Sequence, residues 1–167
     1  MALSNFASGF SASIRKAWDL AKKTWANINP FENRQQPVRR LVIRQELKNL
    51  ALNNVCEIVF LRRRPERAPN RPEFRRMLCS MNDTLLNSVD GRLSLNFHYP
   101  RTSRRIDEAK HNIVVVWDIF MQDYRNVSMD QCYLLQTIPP DERFWKYYND
   151  VLYPMTPAQK MTFMDTP

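Results

Sequence analysis

The chain has 167 residues, enough for one hydrophobic core with appendages and too few for two of ordinary size. Its formal charge of +8 is unevenly placed: residues 1–110 hold 21 Lys and Arg against 10 Asp and Glu, whereas residues 111–167 hold 4 against 7. Gly9 and Gly91 are the only glycines, which argues against the phosphate-cradling loops of nucleotide-dependent enzymes and the nucleophile elbow of α/β-hydrolases, since both need backbone that only glycine allows.

The first segment, MALSNFASGFSASIRKAWDLAKKTWANI, sets Leu3, Phe6, Phe10, Ile14, Trp18, Ala21, Trp25 and Ile28 three and four residues apart. That spacing predicts a helix over 3–28 with one apolar stripe. Arg15, Lys16, Lys22 and Lys23 lie off the stripe, so the helix suits the plane of an anionic membrane interface. The residues expected to make that contact are Phe6, Phe10, Ile14, Arg15, Lys16, Trp18, Lys22, Lys23 and Trp25. No run of about 18 apolar residues is present to span a bilayer, and Ala2 excludes N-myristoylation. Two other readings stay open. In one the stripe packs on the rest of the protein. In the other the Ser- and Ala-rich, acid-poor segment is a mitochondrial transit peptide, although its lysines and two tryptophans are unusual for one.

NPFENRQQP, residues 29–37, reads as a linker with two prolines. VRRLVIRQELKNLALNN then predicts a second amphipathic helix with Arg39, Arg40, Arg44 and Lys48 on its exposed side. VCEIVFL, residues 55–61, is short and β-branched, so it reads as a buried strand. It leads into FLRRRPERAPNRPEFRR, where seven arginines fall between Arg62 and Arg76 against Glu66 and Glu73, and prolines 65, 69 and 72 hold the run semi-extended. A loop anchored to a strand can present its charges in a defined place. Residues 38–76 thus form a basic unit of helix, strand and Arg-rich loop.

Residues 77–167 are expected to form an α+β body with a short C-terminal tail. LSLNFHY alternates strictly and predicts a half-buried strand with Leu93, Leu95, Phe97 and Tyr99 on one side and Ser94, Asn96 and His98 on the other, Leu95 and Phe97 being in the core, after a turn at Asp90 and Gly91. NIVVVWDIFMQDY predicts a central strand, with Val115 and Trp117 in the core. CYLLQTI predicts a third strand of the same sheet, holding Leu134 and stopped by Pro139 and Pro140. DERFWKYYNDVLY predicts a helix with Asp141 and Glu142 in its first turn and Phe144, Trp145, Tyr148 and Leu152 on its packing face. Thr156 and Pro157 resemble the start of a short helix. The fold class expected is therefore α+β: a small antiparallel sheet with packed helices, preceded by basic amphipathic helices.

Chemistry is thinly represented. Cys56, Cys79 and Cys132 are widely spaced in a sequence without a secretory leader, so they read as buried thiols. With His98 and His111 they show no short paired spacing for zinc. His98 reads as a surface histidine, and Asp118 as a strand acid answered by an arginine. No catalytic residue, metal or cofactor is expected.

The basic residues are 18 arginines to 7 lysines. The planar guanidinium fork pairs bidentately with phosphate, so this excess points to phosphate recognition. Arg39, Arg40, Arg44, Arg62, Arg63, Arg64, Arg67, Arg71, Arg75 and Arg76 are the expected nucleic-acid contacts. Few aromatic residues interleave with them, so backbone contact is expected over base stacking. Small size, two basic segments and a compact β-containing body are of a kind seen in small viral matrix or accessory proteins. The function expected is a non-enzymatic bridge: nucleic acid or nucleoprotein on the Arg-rich segment, an anionic membrane on the first helix, with homo-oligomerisation left open. The alternatives are an RNA-binding nuclear accessory protein and an imported mitochondrial protein. The location expected is intracellular, cytoplasmic and peripheral to membranes, with RRRPER also serviceable as a nuclear-import signal.

Overall fold

A computed structural model of the chain describes residues 40–67, 69–101 and 106–165. The predicted first helix, the linker, every expected membrane contact and Arg39 lie outside the described residues. The body is a six-stranded sheet with helices on it, so the expected α+β class with an antiparallel sheet is what the chain forms.

In chain order the elements are β1 (Arg40–Leu41), α1 (Arg44–Asn53), β2 (Val55–Leu61), a 3-10 turn (Pro65–Arg67), β3 (Phe74–Ser80), α2 (Asp83–Leu86), α3 (Val89–Ser94) and α4 (Glu108–His111). There follow β4 (Ile113–Asp118), β5 (Asp123–Ser128), β6 (Cys132–Ile138), α5 (Glu142–Tyr147), a π-helical turn (Tyr148–Leu152) and α6 (Pro157–Asp165). The strands are ordered β1-β6-β2-β3-β4-β5 and every neighbouring pair is antiparallel. β2 and β6 have the bounds the sequence predicts. β2 lies at the centre, buried from Val55 to Phe60, because its β-branched and aromatic side chains fill both faces of the sheet.

One face carries Cys56, Ile58 and Phe60 of β2, Met77 and Cys79 of β3, and Val114 and Val116 of β4, in a single cluster with Leu47 and Ala51 of α1. The predicted second helix therefore exists but is shorter, running from Arg44 to Asn53, while Arg40 and Leu41 pair with β6 instead. All three cysteines are buried free thiols, as expected. Burial pushes Cys56 and Cys132 up to about 12.

The predicted strand at LSLNFHY is not formed. Residues 93 and 94 end α3, whose N-cap Ser88 accepts the Gly91 N–H at 3.0 Å, and residues 95–99 are irregular. The alternation breaks at Asn96, where φ is 54° and the chain turns through the left-handed region. Leu93 and Tyr99 are left 79% and 55% exposed, yet Leu95 and Phe97 are buried as expected, because Phe97 packs edge-on to Trp117 at 5.2 Å and Trp117 Nε1 donates to the Leu95 carbonyl at 3.2 Å. Gly91, expected in a turn, is inside α3. A Cβ there would stand 2.3 Å from the carbonyl oxygens of Leu85 and Leu86, so glycine is what lets α3 pack against α2.

NIVVVWDIFMQDY is likewise not one strand. β4 stops at Asp118, whose Oδ1 accepts the N–H groups of Phe120 and Met121 at 3.0 and 3.1 Å, and the chain returns as β5 from Asp123 to Ser128. Trp117 and Leu134 are buried and Val115 is half-buried. A strand that the sequence hid is β3, formed by the last residues of the arginine run. Most of the sheet lies in the expected body, residues 77–167, but β1, β2 and the first three residues of β3, Phe74 to Arg76, precede it.

Candidate anion-binding cleft

The arginine run is the connection of a hairpin. β2 and β3 pair from Val55 opposite Ser80 to Leu61 opposite Phe74, and the Arg62 N–H donates to the Glu73 carbonyl at 2.8 Å, which closes the base of the loop. Two of the arginines sit in β3 itself. Strand alternation sends them to opposite faces, and each meets a buried acid. Arg75 reaches Asp118, 1% exposed, at 2.9 Å. Arg76 pairs with Glu57, also 1% exposed, and lies over the Phe163 ring at 4.2 Å. A strand acid answered by an arginine is what the sequence suggested for Asp118.

These pairs sort the run into committed and uncommitted cations. Arg63 is committed: it makes a bidentate contact with Asp130 at 2.8 and 2.9 Å and donates to the Asn112 carbonyl at 3.1 Å. The Arg63 guanidinium holds the Asp130 carboxyl below the usual range. Arg64 and Arg67, both exposed on the loop, have no side-chain partner among the described residues. Among the described residues Arg62 donates only to the Pro72 carbonyl, at 3.2 Å, and Arg71 only to the Met161 sulfur, at 3.1 Å.

The loop and the end of the sheet enclose a cleft of about 590 Å³. Arg62, Arg63, Arg64, Arg67 and Arg75 line it, joined from β5 by Arg125 and from α4 by His111. Among the described residues no carboxylate lines it; Phe60, Met77 and Ile113 form its apolar floor, and Ile106, Asn126 and Ser128 also line it. The crowding of cations has an electrostatic signature. Burial pushes the Arg75 guanidinium below its ordinary value, Asp118 opposes this, and Arg125, Arg71 and Arg62 push it lower still. Arg125 is poorly settled: its Nη1 reaches Asp123 only at 3.7 Å, and its Nε is buried without an acceptor among the described residues. An anion in the cleft would relieve this concentration of like charge.

Of the ten arginines singled out from the sequence, five line the cleft. Arg71 borders an adjoining recess with Arg62, Pro72 and Asp165, and Arg76 is turned to Glu57 and Phe163. Arg40 is paired with Glu46 and, like Arg44, is not part of the cleft; Arg39 lies outside the described residues. Sequence reasoning missed Arg125 and His111. Arg125 is an isolated cation far along the chain, and only the pairing of β4 with β5, which sets it opposite Val116, brings it to this end of the sheet.

His98 is exposed, its Nδ1 3.2 Å from the Asn96 carbonyl oxygen, consistent with an ordinary surface histidine. Among the described residues no His, Cys, Asp and Glu cluster could hold a metal ion, and no helix is long and apolar enough to cross a membrane. No family model, curated protein or solved structure gives a significant match to the chain.

Proposed function

We propose that the protein is a non-enzymatic nucleic-acid-binding protein that grips backbone phosphates in the cleft between the arginine loop and the sheet. The observation that carries this reading is the meeting, among the described residues, of six arginines and a histidine around one recess with no carboxylate on its wall. Guanidinium groups donate in a planar fork, so the uncommitted Arg62, Arg64, Arg67 and Arg125 can each take phosphate oxygens in pairs. Arg63 and Arg75 are held by Asp130 and Asp118 and set the shape and field of the site. Phosphate contacts position a protein on nucleic acid without reading sequence, so affinity with little sequence preference follows.

The second half of the proposal rests on sequence alone. The stripe from Leu3 to Ile28 with its flanking cations would lay the first segment on an anionic membrane, which makes the protein a bridge between that surface and nucleic acid or nucleoprotein.

Fluorescence anisotropy with labelled oligonucleotides tests the first half. Replacing Arg62, Arg64, Arg67 and Arg125 together by Ala should weaken binding at least tenfold, while Arg143→Ala, a surface arginine paired with Asp141, should leave it unchanged. Equal binding by the two variants would reject the cleft. Flotation with anionic vesicles tests the second half, which requires that Lys22→Glu with Lys23→Glu weaken association.

A further inference from the structure

Resting on the nucleic-acid reading, we infer that the cleft takes one nucleotide of a single strand, with its base against Ile106 and the Asn126 amide, and does not take the side of a duplex. Size is the first argument. A recess of about 590 Å³ is roughly 8 Å on a side if drawn as a cube, the scale of one nucleotide. A duplex presents a convex surface whose major groove alone is about 12 Å wide, so it can touch the rim but cannot enter.

The lining is the second argument. A surface that only tracked phosphates would need cations and no apolar recess, whereas this one has a floor of Phe60, Met77 and Ile113 and, among its lining residues, the 47% exposed Ile106. Guanidinium planes around such a floor can stack on a base while their edges hold phosphate. Two neutral polar side chains line the cleft. The Ser128 hydroxyl accepts from the Asp130 N–H at 3.4 Å, so it is engaged. Asn126 is exposed on the edge strand β5, and its amide has no partner among the described residues. An amide offers a donor and an acceptor to a base edge, which is the group a base-holding recess needs and a phosphate track does not.

Anisotropy with the full-length protein tests this, using labelled oligouridine, oligothymidine and a blunt-ended duplex at one salt concentration. Both single strands should bind about tenfold more tightly than the duplex, and the ratio of the two shows whether the sugar is read. Ile106→Ala should weaken single-strand binding about tenfold and Asn126→Ala should weaken it severalfold. Neither should change the dependence of affinity on salt, because neither removes a phosphate contact. Both residues are exposed, and a thermal melt of each variant confirms the fold. Equal affinity for duplex and single strand, with no response to either substitution, would overturn the inference and leave backbone binding standing. Absence of binding to all three probes, with binding to anionic phospholipid vesicles instead, would overturn both the inference and the nucleic-acid reading beneath it.

Discussion

Arg75 Nη2 lies 2.9 Å from Asp118 Oδ2, an ion pair that joins the end of the arginine run in β3 to the last residue of β4. The carboxylate is 1% exposed and the guanidinium side chain 22%. Burial pushes the Asp118 carboxyl above its ordinary range even though Arg75 and the Met121 and Phe120 N–H groups oppose the shift. Each partner therefore offsets the cost of burying the other's charge.

Removing one partner leaves a charge without compensation. Asp118→Ala should destabilise the protein by about 3 kcal/mol, because it strands Arg75 among other cations and removes the acceptor of two turn N–H groups. Arg64→Ala, on the exposed loop, should change stability by less than about 0.5 kcal/mol. Urea unfolding of the two variants checks this. A midpoint for Asp118→Ala equal to that of the parent protein would show that the pair does not hold β3 to β4.

The three cysteines supply a pH-dependent expectation. With Cys56 and Cys132 pushed up to about 12 by burial, and Cys79 also raised by burial, almost no thiolate exists near pH 8 in the folded protein. An alkylating reagent at that pH should leave all three unmodified until denaturant is added, and then label all three within minutes. Rapid labelling of the folded protein would contradict the burial.

Gly91→Ala separates packing from helix propensity. Ala is the better helix former by about 1 kcal/mol, yet its Cβ would stand 2.3 Å from two α2 carbonyl oxygens, contacts that backbone movement alone can relieve. The expected result is a loss of about 1–3 kcal/mol, read as a lowered melting temperature. A stabilised variant would mean that α3 does not press on α2 in this way.

Parts of this architecture were legible because local pattern and tertiary context agree. VCEIVFL and CYLLQTI are short, β-branched and bounded by turn residues, and both form strands with the predicted ends. Glu142 stands in the first turn of α5 as expected, while Asp141, expected there too, is its N-cap and accepts the Arg143 N–H. β3 was hidden because Arg75 and Arg76 occupy pleated positions normally held by apolar residues, and only the acids of Glu57 and Asp118, brought in from other strands, make that tolerable. LSLNFHY misled for the opposite reason: the end of a helix followed by a left-handed Asn96 buries Leu95 and Phe97 in the same alternation that a strand would. The arginine loop was visible as a basic run. Its division into held and uncommitted side chains, and the addition of Arg125, His111 and Asn126, arise from strand pairing and cannot be read from spacing.

The most direct measurement of the central claim is the slope of log affinity against log salt for a single-stranded oligonucleotide. One nucleotide in the cleft sets its two flanking phosphates among Arg62, Arg64, Arg67 and Arg125, which gives a slope of about −1.4, equivalent to roughly a sevenfold loss of affinity between 50 and 200 mM salt. Arg64→Ala with Arg67→Ala should reduce its magnitude by about 0.7, the share of one phosphate, because two of the four cations that hold the pair are gone. A salt-independent affinity, or a slope unchanged in the double variant, would contradict the assignment of the cleft as a phosphate site.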